Sequence, residues 1–192
     1  SGFQSIKAGD SKIIIAGGQE SMSLAPHSIH LRDGKKLGDT KLTDTMIKDG
    51  LWDAFNNYHM GVTAENVATK FQVTREDQDK FALNSQEKAL EAQKKNKFKN
   101  EITNFKIKSK NNEMIFDTDE HPRQGINLEA LNRLQPVFKK DGTVTAGNSS
   151  GINDGAAAMV LMTSEEAEKR KLQKLVSIKS WASCGVDPSV MG

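Results

Sequence analysis

The sequence is short of cysteine, of net charge and of long apolar runs, and each shortage excludes a class of protein. The 192 residues include a single Cys, Cys184, so an intramolecular disulfide and the paired CxxC cysteines of a structural zinc site are excluded. The 27 Lys and Arg against 25 Asp and Glu leave a formal charge of +2, which argues against a strongly electrostatic nucleic-acid binder. No apolar run approaches the roughly 18 residues that a membrane span needs. We therefore expect neither nucleic acid nor a membrane among the partners.

The common catalytic and metal-binding motifs are also missing. The sequence has no GxxxxGK[ST] phosphate loop and no HExxH. His27 and His30 have a spacing that would suit a metal in a helix, but Pro26 argues against a helix there, so we expect no metal. Cys184 has no neighbouring His in the sequence, and we expect a buried, unreactive thiol rather than a nucleophile. Since the chain begins at Ser1 and not at Met, we expect it to be processed or cut from a longer protein.

Strand-like segments lie near the two ends of the chain. Residues 12–16 contain three consecutive Ile without polar alternation, which predicts a strand covered on both faces, as in a parallel sheet between helices. Residues 156–162 form a second apolar run of the buried kind, and residues 175–181 alternate like a half-buried strand. About 120 residues of helical, basic and irregular sequence separate these ends. The pattern predicts an α/β fold with a long insert.

Helix starts are marked by capping residues. Thr63 is predicted to cap a first helix, and Thr74 with Asp77 forms a capping box for a second. Thr163 with Glu166 predicts a further short helix. Between the second and third of these helices, residues 102–107 suit a strand, and residues 111–140 are polar and rich in turn-forming residues.

Three features fit either a binding role or an ordinary structural one. His59 lies between an aromatic residue and a Met before a helix start, which suits the wall of a narrow pocket or an exposed loop. Residues 145–155 combine small side chains with several Gly, so they suit either close approach of a ligand to the backbone or tight packing. The lysines between Lys94 and Lys110 favour a solvated face, with attraction of an acidic ligand as the alternative.

Three blocks of the sequence closely resemble thiolases. They are AGGQESMS at residues 16–23, YHMGVTAENVA at residues 58–68 and TAGNSSGINDGAAA at residues 145–158. The blocks follow the order and spacing of the family, and the resemblance extends over essentially the whole chain. His59 before Met60 and Gly61 is typical of the biosynthetic, acetoacetyl-CoA type.

The resemblance implies a layered αβαβα thiolase fold, of which this chain holds part of the core strands and an inserted α+β loop domain. Residues 1–18 and 144–172 would belong to the N-terminal half, residues 19–143 to the loop domain that binds coenzyme A, and residues 173–192 to the start of the C-terminal half. Residues 23–49 resemble the segment that assembles a homotetramer. The location implied is cytoplasmic, with a mitochondrial one as the alternative.

The activity that the resemblance implies is the condensation of two acetyl-CoA molecules to acetoacetyl-CoA and CoA, or the reverse cleavage, in lipid metabolism. The CoA thioester is then the substrate, and neither a separate cofactor nor a metal is implied. The matching positions are Leu51, His59 and Met60 for the pocket wall, Arg123 beside the adenine nucleotide, and Phe138, Ala146, Gly147 and Ser150 along the pantetheine tunnel. Ser150 would bond to a pantetheine amide.

The sequence departs from the family pattern in two ways. Gln124, Ala130 and Ser149 stand where relatives have His, Ser and Ala, which puts one nucleotide contact in doubt. More seriously, the nucleophilic Cys, its activating His and the second Cys belong to motifs outside this chain, and Cys184 matches none of them. We therefore expect no catalytic residue here and no activity from the chain alone. Alternative interpretations are a non-catalytic module for CoA binding or oligomerisation, and a CoA-dependent synthase of another branch, against which the second and third blocks argue.

Overall fold

The computed structural model describes residues 1–108 and 112–191. Lys110, Asn111 and Gly192, which belong to segments with sequence-based predictions, lie outside the described residues. The helices and strands alternate irregularly along the chain. In chain order they are α1 (Gly2–Ala8), β1 (Ile13–Glu20), β2 (His27–Ser28), β3 (Thr43–Asp44), a π-helical turn (Met46–Gly50), β4 (Trp52–Asp53), β5 (Tyr58–His59), α2 (Met60–Phe71), α3 (Arg75–Lys94), β6 (Phe105–Lys108), β7 (Glu113–Phe116), α4 (Leu128–Asn132), β8 (Gly155–Met162), α5 (Ser164–Lys169) and a 3-10 turn (Pro188–Val190).

The chain divides into two compact units. The first contains residues 1–50 and 152–186, and the second contains residues 51–151 and 187–192. The domain boundaries that the family resemblance implies, at residues 18, 143 and 172, remain predictions. No helix in the described part of the chain combines the length and apolar character needed to cross a membrane.

The first unit is built on an antiparallel pair of strands. β1 and β8 pair along their full length, with Ile13 opposite Met162 and Glu20 opposite Gly155. The parallel pairing predicted for residues 12–16 is therefore wrong. The prediction that both faces of this strand are covered is also wrong, because Ile15 is 77% exposed. Helix α1 lies against one face only, where a methyl group added to Gly2 would lie 3.3 Å from Ile14 Cγ2.

Two further predictions for the first unit are wrong. Most of β8 is exposed, so the apolar run at residues 156–162 is not buried within this chain. Residues 175–181, predicted to form a strand, have no regular secondary structure, and Val176 is 87% exposed. A strand needs a neighbour for its backbone groups, and no strand in the described ranges pairs with this segment. The predicted cap Thr163 is confirmed, since its hydroxyl accepts a hydrogen bond from the Glu166 N–H at the start of α5.

In the second unit, one predicted helix start is wrong and one is confirmed. Helix α2 begins at Met60 with His59 as its N-cap, whereas a cap at Thr63 would have started the helix one turn later. Thr63 is instead buried, and its hydroxyl has no hydrogen-bond partner among the described residues. Helix α3 begins as predicted, because Thr74 and Asp77 form a reciprocal capping box.

The region between α3 and β8 holds both predicted and unpredicted elements. The strand expected at residues 102–107 is confirmed in part by β6, which pairs with β7 in an antiparallel hairpin. Neither β7 nor α4 is evident from the polar sequence of residues 111–140. Helix α4 begins where the Asn127 side chain accepts a hydrogen bond from the Ala130 N–H.

The interior of the second unit contains more polar than apolar side chains among its fully buried residues. The buried apolar residues are Ala68, Leu131 and Val144. The buried polar residues are Asp53, Thr63, Glu65, Asp79 and Thr145. Buried polar groups are costly unless they are hydrogen-bonded, and all of these except Thr63 have hydrogen-bond partners that fix loops of the unit.

Candidate functional site

His59 lies at the junction of β5 and α2 and acts as the N-cap of the helix. Its Nδ1 accepts a hydrogen bond of 2.9 Å from the Gly61 N–H. A nitrogen that accepts a hydrogen bond carries no proton, so this bond assigns the neutral tautomer with the proton on Nε2. The exposed-loop interpretation of His59 is therefore wrong, because the ring is half-buried and bonded to the helix start.

The ring of His59 is stacked on the ring of Phe138. The ring centroids are 4.6 Å apart and the planes differ by 20°. Gly61 makes this arrangement possible, because a Cβ at that position would lie 2.3 Å from two carbons of the Phe138 ring. A predicted pocket-wall residue and a predicted tunnel residue are thus in direct contact.

A backbone hydrogen bond joins Leu51 and Met60, the residue that follows His59. The Met60 N–H donates to the Leu51 carbonyl at 2.8 Å, and Trp52 pairs with His59 in the β4–β5 ladder. The connection between these strands turns at Asp53, whose Oδ1 accepts a hydrogen bond of 2.8 Å from the Phe55 N–H. The Asn56 side chain donates to Asp53 Oδ2 at 2.7 Å, and this bond is the main reason that the pKa of Asp53 is below its ordinary value.

A buried carboxylate on α2 holds the segment that follows Phe138. Glu65, 3% exposed, accepts hydrogen bonds from the N–H and hydroxyl of Thr143 and from the N–H of Val144, at 2.8–3.0 Å. A side chain at position 142 would collide with this carboxylate, because a Cβ on Gly142 would lie 2.3 Å from Glu65 Oε1. The backbone of residues 142–144 is therefore pressed against α2.

A second buried carboxylate, on α3, holds the next few residues. Asp79 is fully buried, and its Oδ2 accepts a hydrogen bond of 2.7 Å from Arg75 Nε. Its Oδ1 accepts a bond of 3.0 Å from the side-chain amide of Asn148. The same amide donates to the Thr143 carbonyl at 3.0 Å, while Asn148 Oδ1 accepts from the Thr145 N–H at 2.7 Å.

Arg75 also donates to the carbonyls of Leu131 and Leu134, so α3, α4 and residues 143–148 are linked by one network.

Of the two interpretations left open for residues 145–155, tight packing is confirmed at one position, and ligand approach stays a prediction. Gly147 is needed for packing, because a Cβ there would lie 2.6 Å from methyl carbons of both Leu131 and Leu134. Ala146 and Ser150, by contrast, are exposed and accessible to a ligand. The departure at Ser149 has a structural role, since its hydroxyl donates to the Thr145 carbonyl at 2.7 Å.

Arg123 is exposed on a loop that is fixed to α3. Its N–H donates to Gln86 Oε1 at 2.9 Å, and seven positions along the same helix Gln93 donates to the Asp119 carbonyl at 3.0 Å. The guanidinium group therefore projects from a loop tied to the helix at two points. Among the described residues, no hydrogen bond or ring contact joins Arg123 to the His59–Phe138 pair.

All eight predicted site residues belong to the second unit, but only some are in contact. The structure brings together His59 with Phe138 and Leu51 with Met60, whereas Arg123 lies on its separate loop. The residues that position them were missed. These are Gly61, Glu65, Asp79 and Asn148. Gly61 and Glu65 occur in the family-like block of residues 58–68 and Asn148 in that of residues 145–158, whereas Asp79 lies in none of the three blocks.

Other groups considered from the sequence are the thiol, the His27–His30 pair and the lysines. Cys184 is exposed in the irregular segment after α5, so the prediction of a buried thiol is wrong. His27 lies 3.9 Å from Asp44 in the β2–β3 pair, and no group of three or more potential ligands in the described ranges could hold a metal ion. The lysines at the end of α3 and on β6 are exposed, as the solvated-face interpretation predicts. Lys106, for example, forms an ion pair of 2.8 Å with Glu113.

Comparison with known proteins places this geometry in a family. A family model described as the thiolase N-terminal domain matches residues 1–165. The chain belongs to the thiolase family. The solved structure of an acetyl-CoA acetyltransferase from Syntrophomonas wolfei superimposes with a TM-score of 0.90 and 42% identity over 97% of this chain and 47% of that one. The predicted thiolase-like α/β fold is thereby confirmed.

Curated thiolase relatives match the whole chain. An acetyl-CoA acetyltransferase of Rhizobium meliloti is 58% identical over 191 residues, which are 100% of this chain and 49% of that protein. A cytosolic acetyl-CoA acetyltransferase of Rattus norvegicus is 54% identical over 191 residues, covering 98% of this chain and 48% of that protein. The chain therefore spans about half the length of the curated relatives it matches.

Proposed function

We propose that the chain is part of an acetyl-CoA C-acetyltransferase and that it binds the CoA thioester while residues outside it supply the reacting cysteines. The observation that carries this proposal is the identity of 58% over the whole chain with a protein named acetyl-CoA acetyltransferase. The sequence block that contains the His59 cap and Gly61 is the one that resembles the biosynthetic type.

The contribution of this chain to such a reaction is binding and orientation. His59, Met60 and Phe138 offer an aromatic and apolar wall, and the His59 ring presents Nε2–H as a donor because Nδ1 is engaged by Gly61. The exposed Ser150 hydroxyl and the neighbouring backbone suit the amides of pantetheine. Holding the thioester in one place makes its reaction with a fixed nucleophile effectively intramolecular, which is a large part of the rate of many enzymes.

Several finer points belong to the same proposal. No separate cofactor is needed, because the CoA thioester is itself the substrate. Arg123 would lie beside the adenine nucleotide, where a cation on a fixed loop suits phosphate groups. A cytoplasmic location is favoured by the name of the rat relative, which is called cytosolic. Assembly of the parent as a homotetramer through residues 23–49 is testable by light scattering of the full-length protein and of a variant without that segment.

Two measurements on the purified chain test the proposal. Isothermal titration calorimetry with CoA should detect binding that Phe138→Ala weakens, while Phe81→Ala, at an exposed ring of α3, serves as the matched control. Cleavage of acetoacetyl-CoA by the chain alone should not exceed a blank without protein. Absence of CoA binding would contradict the binding role, and turnover by the chain would contradict the assignment of the reacting groups to other residues.

A non-catalytic module for CoA binding or oligomerisation is the second candidate. The observation that favours it is that all eight predicted contact residues lie in one compact unit, whereas Cys184 is exposed in the other. The two candidate functions predict different activities for the full-length protein that contains this chain. A thiolase should cleave acetoacetyl-CoA, whereas a module should bind CoA and leave acetoacetyl-CoA intact.

A further inference from the structure

Side chains accept the hydrogen bonds of the first backbone N–H groups in the segment of residues 143–149. The N–H groups of Thr143 and Val144 donate to Glu65, and the Thr145 N–H donates to Asn148 Oδ1. Three successive backbone donors are thus satisfied by side-chain oxygens. The position of these three N–H groups therefore depends on those acceptors, although the Val144 carbonyl also accepts a backbone hydrogen bond from Val137.

Each end of this segment is held by a different helix. At one end, Glu65 of α2 faces only donors, and both oxygens of an ionised carboxylate can accept them. At the other end, Asp79 of α3 holds the Asn148 amide, and Arg75 supplies the opposite charge that a buried Asp requires. Helices are more precise supports for a site than loops are.

We infer that Glu65 and the Asp79–Asn148 pair are positioning residues that hold residues 143–149 in the conformation needed to receive the pantetheine chain. This inference rests on the proposed function, in which Ala146, Gly147 and Ser150 line the path of that chain. None of the three positioning groups touches the ligand in this arrangement. They act through the backbone between Phe138 and Ser150.

Amide hydrogen exchange of the 192-residue chain tests the positioning without any ligand. In Glu65→Ala, the Thr143 and Val144 N–H groups lose their side-chain acceptor, so both amides should exchange at least about tenfold faster. In Asp79→Asn, two amide NH2 groups oppose each other, and the Thr145 amide should be the one that accelerates. Glu91→Gln is the control, because Glu91 is an exposed acid on α3 paired only with Lys95 among the described residues.

A swapped pair separates a specific contact from general loss of stability. The double variant Asp79→Asn with Asn148→Asp restores a donor and an acceptor between the two positions and leaves an oxygen on residue 148 for the Thr145 N–H, although the bond from residue 148 to the Thr143 carbonyl is lost. Exchange at Thr145 should then return at least partly towards that of the original chain. Unchanged exchange in both single variants, or a swap no better than Asp79→Asn alone, would overturn the positioning by these residues.

Calorimetry with CoA tests the consequence for the ligand. The dissociation constant should rise about tenfold or more in Glu65→Ala and Asp79→Asn, fall again in the swapped variant and stay unchanged in Glu91→Gln. Faster exchange with unchanged affinity would overturn the role in ligand binding and keep the structural one. If the original chain binds no CoA, the proposed function and this role fall together, whereas the exchange result still decides whether the side chains hold the segment.

Discussion

Replacing Gly61 by Ala tests the contact on which the candidate site is built. The new Cβ would lie 2.3 Å from two carbons of the Phe138 ring and 2.4 Å from a third. Ordinary contacts between carbon atoms are about 3.5 Å or longer, so the ring must retreat by about 1 Å. The ring is also stacked on His59, so the substitution disturbs the stacked pair as well.

Two opposing terms set the size of the effect. Forcing an extra methyl group into a packed site costs about 1–3 kcal/mol. Ala offsets part of this cost, because in a helix it is favoured over Gly by at most about 1 kcal/mol. We therefore expect Gly61→Ala to reduce the free energy of unfolding by about 1–2 kcal/mol. Without the Phe138 ring only the helix-forming term remains, so the same substitution in a Phe138→Ala background should be neutral or stabilising.

Urea unfolding of the four chains of this double-mutant cycle measures the coupling. Trp181 is replaced by Phe in all four, so that the fluorescence of Trp52, which pairs with His59, reports on the second unit alone. Phe81→Ala is the control, because it removes an exposed ring of α3 in the same unit. Equal effects of Gly61→Ala with and without the Phe138 ring, or no destabilisation with the ring present, would refute the reasoning.

The remaining predictions concern a second glycine, a helix cap and the thiol. Gly147→Ala should destabilise the chain by about 1–3 kcal/mol through Leu131 and Leu134, and Leu134→Ala should relieve part of this cost in urea unfolding. Thr74→Ala should cost about 1 kcal/mol, whereas Thr74→Ser should retain the cap. The Thr74 hydroxyl lowers the pKa of Asp77, so the stabilisation is complete above the ordinary Asp pKa of about 4 and is lost as pH falls through the lowered value. Thr74→Ala should therefore weaken this acid dependence in unfolding measured from about pH 6 to about pH 2, the range in which Asp titrates, and an unchanged dependence would contradict it. Cys184 should react with iodoacetamide in the native chain at the rate of the urea-unfolded chain, and protection from the reagent would contradict its exposure.

Local capping was predictable where the signal lies within one turn of helix. Thr74 and Asp77 bond to each other across three positions, and nothing else in the chain is needed to form that box. The start of α2 was missed because its cap is an imidazole, which lies outside the usual set of Ser, Thr, Asp and Asn. The actual cap precedes Thr63 by four residues, which leaves Thr63 inside the helix, where its side chain is buried.

Strand predictions failed where they depended on neighbours. The pattern of residues 12–16 located β1 but did not specify the antiparallel partner, since apolar runs indicate burial and not direction. Residues 175–181 have the alternation of a strand, yet alternation alone supplies no hydrogen bonds for the backbone. Cys184 follows this segment on the same irregular backbone, and its thiol is exposed.

The candidate site shows a different limit of sequence patterns, which concerns buried acids. Charged residues on a helix are normally taken as its solvated face, and Glu65 and Asp79 were passed over for that reason. Their burial follows from the needs of another segment: residues 143–145 make few backbone hydrogen bonds of their own, so their N–H groups require acceptors from elsewhere. A carboxylate offers the most acceptor capacity per side chain, and α2 and α3 can each supply one. Because the donor segment and the acids are separated by about 70 residues, the pairing is invisible to any local pattern. A short loop of small residues that lacks internal partners is therefore a reason to search neighbouring helices for acids that face inward.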